Sequence, residues 1–170
     1  LFIAVIIGLL SQPVAWFYSY LSSLFFENQV VLVLDAMFDY PLWLLLLVIA
    51  VVPSIVEEIA FRGIVLHGFK NLTLLKASLI TGLLFGILHL NLQQFLYAAV
   101  LGTIFAAVVR VTGSIYLSML CHFIVNGSQA LMVKLVPLNM EQAAEEGASA
   151  AGTPATLVVL VVLLLISIGA

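Results

Sequence analysis

Six side chains in this sequence combine reactive chemistry with meaningful spacing: Glu57, Glu58, Arg62, His89, His122 and Asn126. They fall in three short stretches, "EEIAFR", "FGILH" and "HFIVN", each set in strongly apolar surroundings. A charge at the middle of a bilayer costs on the order of 2.5–3.5 kcal/mol on insertion scales, so ionisable groups placed there read as functional by default. A carboxylate in a low-dielectric pocket can serve as a general base near neutral pH; Glu57 would take that part, with His89 holding the attacking water beside it. Asn126 and His122 could donate hydrogen bonds to the oxyanion of a tetrahedral intermediate, usually a large catalytic contribution. Such a set fits hydrolysis of a peptide bond.

The elements that carry these residues must be membrane helices. Of 170 residues, 65% are apolar and 8% charged, with five Lys or Arg against eight Asp or Glu. A soluble domain would hold roughly a quarter charged residues. Several apolar runs approach the roughly 20 residues needed to cross a bilayer, and they are too long for barrel strands. The expected fold is all-α: a polytopic transmembrane helical bundle forming one domain over residues 1–170, because helices satisfy their own backbone hydrogen bonds in lipid. Lipid is therefore an obligatory partner. No basic cluster suggests nucleic acid, and a single cysteine, Cys121, excludes an internal disulfide. The first residue is Leu1 rather than methionine, so the chain reads as a trimmed piece. The opening run lacks a basic start and is too long for a signal-peptide core, which makes it a spanning helix.

Six spans are expected: Phe2 to Phe26 with a kink at Pro13, Pro41 to about His67, Leu72 to Leu90, Phe95 to Val109, Ser114 to about Leu135, and Thr156 to the end. Lys70, Lys76 and Arg110 lie in loops on one face. Glu27, Asp35, Asp39, Glu141, Glu145 and Glu146 fall on the other, with Lys134 the basic exception. The excess of basic residues in cytoplasmic loops puts the Lys70/Lys76/Arg110 face in the cytosol. The long connection after Leu135 is rich in Ala, Gly and Glu and reads as a solvated loop. Glu57 lies thirteen residues before Lys70, His89 thirteen after Lys76 and His122 twelve after Arg110. At about 1.5 Å per residue all three sit roughly 18–20 Å from the basic face, in one layer.

Helical spacing then assigns partners. Glu58 and Arg62 are i and i+4 with the acid first, the better order for an ion pair. Glu57 is turned about 100° away and is left to face other helices. His122 and Asn126 share a face, as do Phe85 and His89, with Phe85 read as wall. Gly82 and Gly86 form a small-residue stripe that admits a close neighbour. Cys121 points away from His122 and reads as core, His67 as an interfacial residue, and Trp16 and Trp43 as interface anchors or packing.

In that order on three successive spans, the stretches resemble the EExxxR, FxxxH and HxxxN motifs of the type II CAAX prenyl endopeptidases. These group with abortive-infection and bacteriocin-processing intramembrane proteases, the CPBP family. The likeness covers residues 41–127, which would be the catalytic core. It implies an intramembrane endopeptidase acting on membrane-associated peptides or lipidated proteins, prenylated CAAX substrates among them. It also implies that Glu57 activates water with help from His89, that His122 and Asn126 form the oxyanion site, and that Glu58 and Arg62 support them. Members have been described both as metal-independent and as metalloproteases. The expectation here is no cofactor, the alternative being zinc on Glu57, His89 and His122, a chemically possible set. Members often have about eight spans, which would place two more before Leu1. Two other functions stay open at this point: a non-catalytic bacteriocin-immunity or scaffold protein of the same fold, and a proton-coupled transporter using Glu and His as a relay.

Overall fold

The computed structural model describes residues 1–27 and 36–135. Among the described residues the architecture is entirely helical. Five rods follow one another: α1 (Phe2–Ser23), α2 (Leu42–Gly68), α3 (Leu74–Leu88), α4 (Leu92–Thr112) and α5 (Ile115–Leu135). Four are long and apolar enough to cross a membrane, and α3, with 15 residues, is shorter. The sixth expected span and the Ala/Gly/Glu-rich connection lie outside the described residues, as do residues 28–35 of the connection between α1 and α2.

Boundaries follow local chemistry. Thr73 caps α3 by accepting from the Lys76 N–H, two residues later than expected from hydropathy. Asn91 starts α4 earlier than expected, its Oδ1 accepting from the N–H groups of Gln93 and Gln94 at 2.9 and 3.2 Å. These are the orphan donors of a first turn, and a capping side chain satisfies them. Gly113 ends α4 at φ 70, where its N–H reaches the Val109 carbonyl. That left-handed conformation suits glycine. α1 continues through Pro13.

α2 is not a uniform α-helix. Leu46–Val51 and Ile59–Val65 are wider π-helical segments, separated by the α-helical Val52–Glu58. Such turns are rare and recur at functional sites. Here they bracket Glu57 and Glu58, and so set the direction in which each acid points.

The tightest junction joins α3 to α4, where the expected glycine stripe lies. A Cβ on Gly82 would come within 2.5 Å of the Ala99 carbonyl and 2.6 Å of the Thr103 nitrogen; one on Gly86 would meet the Phe95 carbonyl at 2.7 Å. Backbones replace side chains at this contact, as in other membrane helix pairs. Gly82→Ala should therefore lower stability in detergent by about 1–3 kcal/mol, the usual overpacking range. Gly63→Ala is the control: its Cβ would find only Ile115 Cδ1 at 3.8 Å, and its thermal midpoint should stay near that of the unmutated chain.

α1 packs on α4 and α5. Ala4, Ala15, Leu101, Phe105, Cys121 and Val125 form the core between them. Polar links stitch this side: Gln12 Nε2 donates to the Ile124 carbonyl at 3.2 Å, Gln93 Nε2 to Ser19 Oγ at 2.9 Å, and Cys121 Sγ to the Ala4 carbonyl at 3.2 Å. Cys121 is thus core, as its helical position indicates. At the basic end, Arg110 donates to the carbonyls of Lys70 and Leu72 at 3.2 and 2.9 Å. Lys70 and Arg110 do share a face, but Arg110 lies in the last turn of α4 and Lys76 in the first turn of α3, not in the loops expected for them. His67 is exposed, and Trp16 and Trp43 are 45% and 66% exposed on the bundle exterior.

Candidate active site

α2 to α5 enclose a cavity of about 270 Å³ whose lining includes Glu57, Phe85, His89, His122 and Asn126. Glu57 comes from the α-helical turn of α2 between its two wide segments. His89 is the residue that ends α3; the expected span, closing at Leu90, had it next to last. The chain leaves the helix there because Leu90 adopts φ 50. His122 and Asn126 stand one turn apart on α5. The depth count placed three of these groups in a common layer, and their side chains do reach one hollow.

Glu57 and its neighbour Glu58 face different surroundings. Glu57 Oε2 is 3.9 Å from His122 Nε2, and its side chain retains 35% exposure. Glu58 is fully buried. One of its oxygens lies 3.0 Å from Arg62 Nη1, the ion pair expected from the i, i+4 spacing. The same oxygen is 2.9 Å from His122 Nδ1, and the other accepts from the Ser118 hydroxyl. Sequence spacing misses these two cross-helix partners, since they depend on how α2 is rotated toward α5. Arg62 is buried too; its Nη2 donates to the Gly102 carbonyl at 2.9 Å, and its guanidinium lies 4.6 Å from the centre of the Phe85 ring. An ionic pair this deep needs such additional contacts to offset desolvation.

The imidazoles are held by aromatic walls. Phe105 stacks on His122 with ring centres 5.2 Å apart, while Phe85 meets His89 edge-on at 4.8 Å and His122 at 5.9 Å. Phe85 is wall, as its spacing suggests. His89 Nδ1 lies 2.8 Å from the Phe85 carbonyl; with its proton on Nδ1, the ring donates there and leaves Nε2 with a lone pair. Asn126 Nδ2 donates to the Ile49 carbonyl at 3.0 Å and lies 3.2 Å from His122 Nε2. The first of these bonds has a covalent cause. Pro53 has no N–H to offer the carbonyl four residues before it, so Ile49 takes its donor from α5.

The cavity has further polar lining that the motif residues do not include: Gln94 and Tyr97 on α4, and Gln129 one turn beyond Asn126 on α5. The only hint in the sequence is that Gln129 continues the His122–Asn126 face. Among the described residues no three His, Cys, Asp or Glu side chains converge as a metal-ligand group.

No curated protein and no solved structure matches the chain. The family model of the type II CAAX prenyl endopeptidase Rce1-like proteins does match, over residues 39–128. That is just over half of the chain, and it takes in α2, α3, α4 and the part of α5 bearing His122 and Asn126. On this match the chain belongs to the type II CAAX prenyl endopeptidase Rce1-like family, a family of membrane proteases.

Proposed function

We propose that this protein is an active intramembrane endopeptidase that hydrolyses peptide bonds with a water activated by Glu57. The observation that carries this reading is the convergence of Glu57, His89, His122 and Asn126 on one cavity between apolar helices. Water's O–H bond breaks as Glu57 takes the proton, and the water oxygen adds to the scissile carbonyl carbon. His89 positions that water through its ring nitrogen. The carbonyl electron pair moves onto oxygen, where Asn126 and His122 can donate to it. When the C–N bond breaks, the leaving amine receives the proton and the new carboxyl group keeps the water oxygen.

The substrates are peptides or lipidated proteins that approach within the membrane, prenylated CAAX peptides being the class the family name suggests. The Lys70/Lys76/Arg110 face is assigned to the cytosol on charge alone.

The test is cleavage of a prenylated CAAX peptide and of a membrane-peptide library by purified protein, with products read by mass spectrometry. Cleavage that survives chelator supports the reading. Loss with chelator and recovery with zinc would replace it with a metal mechanism. Proton flux in liposomes without any peptide product would make the protein a transporter, and neither activity would make it a scaffold. Asn126→Ala should lower kcat by about 10²–10³-fold, the typical loss for one oxyanion donor. Measured turnover equal to that of the unmutated chain would remove Asn126 from the oxyanion site.

A further inference from the structure

Ser118 stands one helical turn before His122 on α5, is fully buried, and belongs to none of the three motifs. Its hydroxyl donates to Glu58 Oε2. The other oxygen of that carboxylate serves both His122 Nδ1, at 2.9 Å, and Arg62 Nη1, at 3.0 Å. We propose that Ser118 is a positioning residue of the site: by holding the Glu58 carboxylate it selects the His122 tautomer with its proton on Nδ1, so that Nε2 faces Glu57 and Asn126.

The argument rests on donors and acceptors. An ionised carboxylate only accepts, so the His122 nitrogen that meets Glu58 must carry the proton, and the partner of one ring nitrogen fixes the state of the other. Arg62 competes for the same carboxylate. A guanidinium prefers to take both oxygens of a carboxylate in a fork, and that geometry would draw Glu58 away from His122. Arg62 instead reaches one oxygen, with Nη2 spent on the Gly102 carbonyl. Ser118 occupies the second oxygen and keeps the fork from closing.

This inference deepens the function proposed above and rests on it for its catalytic consequence. With Nδ1–H held by Glu58, a neutral Nε2 is an acceptor, and Asn126 Nδ2 lies 3.2 Å from it. Nε2 becomes an oxyanion donor only once it gains a proton. Glu57 Oε2, 3.9 Å away, supplies the one it took from water: the O–H bond on Glu57 breaks and an N–H bond forms on His122. The ring is then a cation with Glu58 as counter-charge. Nε2 no longer accepts from Asn126, so that N–H and the new Nε2–H both turn to the oxyanion. As the C–N bond breaks, the amine takes the Nε2 proton, and His122 and Glu57 return to their starting states.

The test is nitrogen-15 NMR of the full chain in detergent micelles, labelled at histidine, with His122 assigned by comparison with His122→Gln. The two neutral tautomers give well-separated nitrogen signals. The unmutated chain should show the Nδ1–H pattern. Ser118→Ala should move His122 toward the Nε2–H pattern and lower kcat about tenfold with KM within about twofold, and Ser118→Thr, which keeps the hydroxyl, should restore both. An Nε2–H pattern in the unmutated chain overturns the proposal. So does Ser118→Ala with an unchanged spectrum and unchanged kcat. If Ser118→Ala fails to fold, the unmutated spectrum and that of Ser118→Thr decide the matter. If the unmutated chain cleaves no peptide, the proposed function falls, while the spectra still decide what Ser118 does to His122.

Discussion

Glu57→Gln should give a folded protein that no longer cuts peptide. The amide keeps the size and polarity of the acid but cannot take a proton from water, and general base catalysis is typically worth about 10²–10⁴-fold. The fold should hardly notice. Glu57 retains a third of its side-chain exposure, and its ion contact is the 3.9 Å approach to His122, which is buried but keeps Glu58 and Asn126 as partners. The comparison is turnover on the peptide library beside the thermal midpoint in the same detergent. Turnover close to that of the unmutated chain would remove Glu57 as base and leave His122 as the nearest candidate. Because the swap is nearly isosteric, a lost activity with an unchanged midpoint cannot be blamed on packing.

Arg62→Met should have the opposite signature, a large loss of stability. Arg62 and Glu58 are both buried, and Met fills the volume of the stem while removing the charge. Breaking a buried pair from one side costs about 3–5 kcal/mol, because the remaining charge stays uncompensated. Two more contacts go with it, the bond to the Gly102 carbonyl and the approach to the Phe85 ring. Adding Glu58→Gln to Arg62→Met should return part of the loss, since no charge is then left without a partner. Arg62→Lys should recover less than its charge suggests: an ammonium on a flexible stem does not present the planar set of donors that here meets Glu58 and Gly102 together. Thermal unfolding of the three variants beside the unmutated chain reads all of this. Arg62→Met as stable as the unmutated chain would show that Ser118 and His122 alone suffice to keep Glu58 in place.

The particular residues show what the sequence could and could not reveal. The Glu58–Arg62 pair was legible because both partners lie on one rod, where i and i+4 leave little freedom. The common layer of Glu57, His89 and His122 was legible because distance along a membrane helix is residues times rise. Rotation about each helix axis was not. The Glu58–His122 and Glu58–Ser118 bonds depend on it, and the π-helical segments of α2 shift that rotation without any residue type announcing them. Pro53 was the one clue, as it guarantees a spare carbonyl at Ile49, which Asn126 fills. Helix ends were misjudged where capping outweighed hydropathy, at Thr73 and Asn91. The shorter α3 that results leaves His89 as its C-cap residue, where the expected span kept it as the last residue but one.

The brevity of α3 bears on how water would reach the proposed reaction within the lipid layer. A 15-residue rod covers about 22 Å, against roughly 30 Å of hydrocarbon in a typical bilayer. Lipid beside an undersized span can thin to meet it, and His89 stands at one end of this rod. The dent this makes in the leaflet would bring headgroups and solvent down to the level of the cavity, giving hydrolysis its reagent without a channel through the bundle.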